Sequence, residues 1–278
     1  LAAAAPAACL RILRRRRPDV VLGAGGYVSG PMVLAAWMLR IPAALTEADA
    51  HLGLANRLAA PFAQRVFLAV PVGRDGEKYQ AVGRPIPAAS RAIARHESRA
   101  QLGLPSAGSV VLVFGGSLGA RLLNELAVEA WADEGPAVLH LCGERDYEAL
   151  RTRVSRPGYL LLPFLDEIGL AYGAADLAVA RAGGSVWELA AAGVPAVLVP
   201  GTFATGAHQE KNAEWFSRTG GAVVVPEAES ARVPKVVSAL LQDADRLEAM
   251  ATAMRHAAKP GAADAIAEEL LALAAARR

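Results

Sequence analysis

The chain has 278 residues, 54% of them hydrophobic, with a formal net charge of only +2. That length suits one large domain or two ordinary ones. The near-balance of charge argues against nucleic acid as a partner, and no apolar stretch reaches the roughly 18 residues of a membrane span. Cys9 and Cys142 lie far apart in apolar settings, which reads as two buried thiols and not as a disulfide or metal site. The apolar opening 1–10 precedes its arginines, the reverse of a secretory signal, so a cytoplasmic setting is expected.

In chain order, a helical stretch ends in Arg11, Arg14, Arg15, Arg16 and Arg17. Two readings stand for it: a solvated basic end suited to the helix dipole, or attraction to an anionic membrane surface. Leu1 falls inside this helical pattern, so residues are expected to precede it. Short apolar, β-branched runs follow at 19–24, 43–48 and 65–70, then at 109–115, 137–143, 159–164, 176–181, 196–200 and 222–226. Alanine- and leucine-rich helical lengths separate them. That alternation predicts βαβ units and parallel sheets covered on both faces. A proline-stiffened, charged stretch at 82–108 marks a boundary. The expected organisation is a short first lobe (1–87), a second lobe (88–260) and an amphipathic terminal helix (261–278). The pattern leaves that helix's destination open, the first lobe being the candidate. A doubly wound lobe usually holds more strands than the first one offers, so that lobe is expected to be incomplete.

Open parallel sheets bind ligands at the carboxyl ends of their strands, where glycine turns meet helix N-termini. Three such junctions occur: VLGAGGYVSGP (21–31), VFGGSLGAR (113–121) and VARAGGSVWE (179–188). Glycine lets backbone approach a ligand closely, and free N–H groups at a helix start hold an anion. Arg121 and Arg181 add positive charge nearby. None of the three is a P-loop or a G-x-G-x-x-G dinucleotide turn. Singly each reads as a structural turn; together they point to a phosphate-bearing ligand. Glu188 lies four residues after Gly184. It is either a dipole-suited acid or the partner of a ribose whose diphosphate the turn holds. His208, Gln209, Glu210, Lys211 and Asn212 open a later helix, with Thr205 as a candidate cap, and amides suit sugar hydroxyls. Glu47 and Asp49 follow the second strand. They suit either a general base or capping and loop roles.

Together these stretches resemble the MurG-type glycosyltransferases of peptidoglycan synthesis, glycosyltransferase family 28. GAGGYVSGP, GGSLGAR and RAGGSVWELAAAGVP occur in the family's order. The resemblance implies a GT-B fold of two Rossmann-like, doubly wound lobes facing a cleft. It implies inverting transfer of N-acetylglucosamine from UDP-GlcNAc to the lipid-linked acceptor lipid I, giving lipid II, with no cofactor and no metal. It places the enzyme peripherally on the cytoplasmic face of the plasma membrane, with the arginine cluster and the apolar stretch 31–39 toward the anionic surface. Carried over by motif, Gly116 and Ser117 stand near the donor diphosphate, and Phe164 and Leu165 stand at uracil. Arg181, Gly183, Gly184 and Ser185 form the donor turn, and Glu188 clamps ribose. Gln209 meets the sugar hydroxyls with Asn212 beside it, and Gly25, Gly26 and Tyr27 form the acceptor-side loop.

Some stretches depart from the family pattern. Where the family reads His-Glu-Gln-Asn, this chain has Thr46-Glu47-Ala48-Asp49, and its Gly-Asn-Pro-Val-Arg hinge is Gly83-Arg84-Pro85-Ile86-Pro87. Arg84 is the one candidate to replace the hinge arginine. The family's N-terminal glycine-rich loop with its histidine does not occur in the chain, so donor binding with poor turnover is expected of these 278 residues. The base is Asp49, Glu47 or a group of that upstream region. Three other outcomes are open: a related GT-B transferase with another acceptor, a non-catalytic UDP-sugar binder, and a GT-B epimerase, whose acids and histidines do not occur at matching places.

Overall fold

The computed structural model describes residues 5–74, 76–116, 119–201 and 208–277. It divides into two compact units, one running to Pro85 and resuming at Lys259, the other spanning Ile86–Ala258.

The first unit opens with α1 (Ala5–Arg16), β1 (Val21–Gly23) and α2 (Gly26–Met38). It continues with β2 (Ala43–Glu47), α3 (Leu54–Ala59), β3 (Arg65–Leu68) and β4 (Tyr79–Ala81). The four strands pair in parallel in the order β1-β2-β3-β4. β2 and β3 are buried almost throughout, as central strands covered on both faces must be. Cys9 and Leu13 of α1, Val33 and Ala36 of α2, and Leu45 and Val66 of the sheet share one core. β4 is a tenth strand that the sequence reading lacks. Its YQA is short and only partly buried, so it carries no apolar run.

The acceptor-side loop expected at Gly25, Gly26 and Tyr27 is mostly helix. GAGGYVSGP is a loop only as far as Gly25, and α2 begins at Gly26. Gly25 and Gly26 take φ of 81° and 73°, which favours glycine, and so turn the chain sharply into the helix. Pro31 sits inside α2. Its missing N–H gives up the bond to the carbonyl of Tyr27, a residue at the surface with 97% exposure. Tyr27 is therefore a helical residue of the first turn.

In the second unit, the linker helix α4 (Arg95–Gln101) leads into β5 (Val110–Phe114), α5 (Arg121–Trp131), β6 (Ala137–Leu141), α6 (Glu144–Leu150) and β7 (Tyr159–Leu162). Then come α7 (Ile168–Ala174), β8 (Leu177–Ala180), α8 (Ser185–Ala192), β9 (Ala196–Leu198), α9 (His208–Arg218) and β10 (Ala222–Val224), followed by α10 (Val233–Leu241) and α11 (Ala244–Ala257). The six-stranded sheet is parallel throughout, in the order β10-β9-β8-β5-β6-β7. β5 to β7 therefore wind one way and β8 to β10 the other. The reversal falls between β5 and β8, the position where open α/β sheets bind their ligands.

A buried arginine ties the amino ends of that strand pair. Arg99 of α4 is 2% exposed and donates to the carbonyls of Ala174, Pro105, Ser106 and Gly108, and to Asp176 at 2.6 Å. Asp176 also accepts from the amide of Val110 at 2.7 Å. An unpaired buried guanidinium would be costly; here it is fully engaged.

The last helix, α12 (Ala262–Ala276), returns to the first unit. Ile266, Leu270 and Leu273 pack on Ala44, Phe67 and Val82, and Arg65 pairs with Glu269 at 3.1 Å. Burying a side chain of Ile266's size contributes about 1.5–3 kcal/mol.

Candidate active site

Two turns flank the reversal point of the second sheet. Gly115 and Gly116 follow β5, and Arg181 to Gly184 follow β8. Their glycines serve different ends. A Cβ on Gly115 would stand 2.3 Å from the Cβ of Ala120, and one on Gly119 would stand 2.0 Å from the carbonyl oxygen of Cys142. Both are needed for close backbone packing. Gly116 and Gly183, in contrast, face open space, with nothing within 4 Å of a built Cβ. These two leave room for a ligand at the strand ends. Ser117 lies outside the described residues, as does Thr205.

A cavity of about 300 Å³ opens beside these turns. Its walls include Phe114, Gly116, Phe164, Leu165, Ser185 and Glu188. Gly184 precedes α8 as its N-cap, and Ser185 is the helix's first residue. The dipole and free N–H groups at this end favour a negative charge. Phe164, 52% exposed, offers an apolar face on the far wall. A larger cavity, about 470 Å³, lies near Ser109, Asp176 and Pro195, at the amino ends of the strands and away from these groups.

Glu188 is half-buried in the first turn of α8 and accepts from the hydroxyl of Tyr172 at 2.7 Å. Tyr172 is 2% exposed and also lines the cavity. Burial, with the charge and hydrogen bond of Glu188, raises its phenol pKa well above the usual value, so it remains a donor. Sequence reasoning missed Tyr172; the only signal was an aromatic residue among alanines and glycines just ahead of β8.

Three predicted donor residues take partners within the protein. Arg181 makes a two-point ion pair with Glu227, at 3.1 and 3.2 Å, and donates to the carbonyl of Val199. Its charge is thus balanced locally and is not an isolated positive group. Gln209 accepts from the amide of Gly201 at 2.8 Å, which fixes its amide at the end of β9. Asn212 is fully buried and donates to the carbonyl of Ala182 at 3.2 Å, so it supports the Gly183–Gly184 turn from beneath.

Beneath the β6 strand end runs a buried chain of polar groups. Asn124 donates through Nδ2 to the Cys142 carbonyl at 2.8 Å and to Asp146 at 2.9 Å, which fixes its Oδ1 as the acceptor facing His140 Nε2 at 3.0 Å. His140 must therefore carry its proton on Nε2, and Nδ1 accepts from the Tyr159 hydroxyl at 2.9 Å. Burial lowers the His140 pKa to about 4, so the ring is neutral near pH 7. Arg145 closes the chain on Asp146 with two bonds of 2.9 Å.

In the first unit the two candidate bases differ. Glu47 is 8% exposed and accepts from the amide of Gly53 at 2.8 Å, from Asn56 Nδ2 at 2.9 Å and from the amide of Asp49 at 3.4 Å. Its carboxylate holds the loop after β2 to α3. Asp49 is only half-buried. Arg84 donates to the carbonyl of Ala48 at 3.3 Å, steadying the same loop. No cluster of three or more His, Cys, Asp or Glu side chains placed to hold a metal ion occurs among the described residues.

Residues 110–267 match the family model described as the glycosyltransferase family 28 C-terminal domain, and residues 3–68 match the N-terminal domain. The chain belongs to glycosyltransferase family 28. It is 36% identical over 273 residues to the Halothermothrix orenii UDP-N-acetylglucosamine–N-acetylmuramyl-(pentapeptide) pyrophosphoryl-undecaprenol N-acetylglucosamine transferase, covering 91% of this chain and 74% of that one. With the Halorhodospira halophila protein of the same name the identity is 42% over 266 residues, covering 92% and 73%. Among solved structures, Acinetobacter baumannii MurG matches with a TM-score of 0.79 and 29% identity, over 96% of this chain and 77% of that one. The Neisseria meningitidis UDP-GlcNAc 2-epimerase has a TM-score of 0.65 at 16% identity, over 97% and 81%, and shares the fold alone. The family 28 fold here is two parallel-sheet α/β lobes of four and six strands.

Proposed function

We propose that the chain is the inverting transferase that moves N-acetylglucosamine from UDP-GlcNAc to N-acetylmuramyl-(pentapeptide) pyrophosphoryl-undecaprenol in peptidoglycan synthesis. Identity of 36–42% to transferases of that name, over more than nine-tenths of the chain, supports the reaction. The observation that carries the donor assignment is the cavity at the β5/β8 reversal, with open glycines on both turns and an acid at its wall.

In this reading, uracil stacks by Phe164 and Leu165, and Glu188 accepts from the ribose hydroxyls. The diphosphate lies along Gly116, Ser117, Gly183, Gly184 and Ser185. Inverting transfer requires a cradle for the departing UDP and a base for the acceptor hydroxyl. The α8 N-terminus and the turn N–H groups meet the charge that develops on UDP, without a metal. Arg181 and Asn212 act by holding the turn and neighbouring strand end, and Gln209 holds Gly201 while facing the sugar. Asp49 and Glu47, on the loop after β2, are the acids this chain offers for the base, with Gly25, Gly26 and Tyr27 on the acceptor side.

The lipid-linked acceptor brings the enzyme to an anionic membrane surface on the cytoplasmic side. No helix among the described residues is long and apolar enough to cross a membrane. The first unit instead exposes Val28, Trp37, Met38, Leu54 and Leu58 alongside the exposed arginines 14–17. That pairing of apolar and cationic groups suits peripheral binding.

The test is a transfer assay with labelled UDP-GlcNAc and a short-chain analogue of the undecaprenyl acceptor. Labelled β-linked disaccharide-lipid is the expected product. Transfer only to a diacylglycerol would favour a different acceptor, and bound donor without even slow transfer would favour a binding protein. Replacing arginines 14–17 with serine should reduce binding to anionic liposomes several-fold with donor affinity unchanged.

A further inference from the structure

We infer that Tyr172 is the positioning residue of the ribose subsite: its hydroxyl fixes one oxygen of Glu188 so that the other meets the sugar of the nucleotide. The inference rests on the donor reading above and makes ribose recognition a property of two residues.

Glutamate on its own has three side-chain torsions to order before it can hold a diol. Here the phenol donates to Oε2 at 2.7 Å. The other oxygen takes no hydrogen bond from the protein among the described residues, and Glu188 lines the cavity. A carboxylate has about four lone-pair sites, so one phenol leaves room for ribose hydroxyls. The phenol is buried, its one proton goes to Glu188, and its ring is tilted against Phe114 at a centroid distance of 6.2 Å.

What fixes Tyr172 is the seat of α7. Gly169 and Gly173 lie one turn apart on that short helix. A Cβ on Gly169 would stand 2.2 Å from the carbonyl oxygen of Arg91, and one on Gly173 would stand 2.1 Å from that of Ile93 and 2.4 Å from Ser98 Oγ. The amide of Ile93 donates back to the Gly169 carbonyl at 3.1 Å. The segment entering α4 therefore presses directly on the α7 backbone, and only glycine admits that contact. With one side of α7 so seated, Tyr172 is held toward Glu188 and the cavity.

The experiment compares binding of UDP and 2′-deoxy-UDP by calorimetry on the full chain. The wild type should prefer UDP. Tyr172→Phe should weaken UDP about tenfold and leave 2′-deoxy-UDP within twofold, collapsing the ratio, while the melting temperature stays within a few degrees. In a Glu188→Ala background the same Tyr172→Phe change should cost nothing further, because the carboxylate it positions is gone. That background also removes the acid left without its donor, so the pair stays informative if Tyr172→Phe alone folds poorly. An unchanged UDP preference in Tyr172→Phe, or an equal loss in both backgrounds, overturns the inference and leaves Tyr172 a packing residue. A wild type that binds the two nucleotides alike, or a Glu188→Ala chain that keeps the preference, overturns the donor reading itself.

Discussion

Glu47 and Glu188 stand at comparable places in the two units, each at or just beyond the carboxyl end of a parallel strand. Their surroundings differ. Glu47 is buried and accepts three hydrogen bonds from its own loop and from α3. Glu188 is half-buried, accepts one, and borders a cavity. An acid at a strand end is therefore not a functional signal by itself. What separates the two is how many lone pairs the protein already fills, and so how much of the carboxylate remains available to a ligand.

The largest effect expected from this contrast is on stability. Glu47→Ala removes the acceptor for the Gly53 amide and for Asn56 Nδ2, both buried or partly buried. Orphaned donors of this kind cost about 3–5 kcal/mol together. Denaturant unfolding should show that loss, whereas UDP affinity, which belongs to the second unit, should stay within twofold. A stable Glu47→Ala chain that binds UDP and has lost transfer would make Glu47 the base after all, and the contrast would break.

The second unit has its own buried polar chain, and that one titrates. His140 has a folded pKa of about 4 against 6.5 when free. Above pH 6.5 both states are neutral and the stabilisation is fully present. As pH falls toward 4 the unfolded chain gains a proton that the folded one refuses, and stability drops by on the order of 3 kcal/mol. His140→Gln has no such group. Calorimetric melting from pH 7.5 to 4 should show the wild type losing stability relative to this variant. Parallel curves would mean that His140 protonates in place.

The contrast between the acids also marks how far the sequence reached. Six strands, β2, β3, β5, β6, β8 and β9, were legible because runs such as VVLVF are buried almost throughout, and a doubly covered strand needs little else to be recognised; β1, β7 and β10, less buried, were legible from their apolar composition. β4 was not, since its partly exposed YQA has no such run. GAGGYVSGP was legible as a glycine turn before a helix, but the family resemblance made Gly26 and Tyr27 loop residues, and the helix starts at Gly26. The two turns proposed for the donor were legible as glycine clusters at strand ends. Which glycines face open space was not, because Gly115 and Gly183 differ only in what packs against them from elsewhere in the chain. Arg99 looked like one more charge in a polar linker. Its burial depends on carbonyls that the fold brings to it from α7 and the turn before β5.

The smallest stability effect falls where the site is most open, and there the comparison is sharpest. Gly183 has open space beside it and no left-handed φ, so Gly183→Ala should change stability by less than about 0.5 kcal/mol. Gly115→Ala is the control, because its new methyl must enter space held by Ala120, and that unit should lose about 1–3 kcal/mol to overpacking. If the open side of Gly183 is where the diphosphate lies, a methyl there displaces it, and UDP affinity should fall several-fold in a protein that melts normally. Uridine, which lacks the diphosphate, should bind both chains alike. A Gly183→Ala chain with unchanged UDP affinity would move the diphosphate off the α8 turn and toward Gly116, leaving the turn after β8 structural, as the loop held by Glu47 is in the other unit.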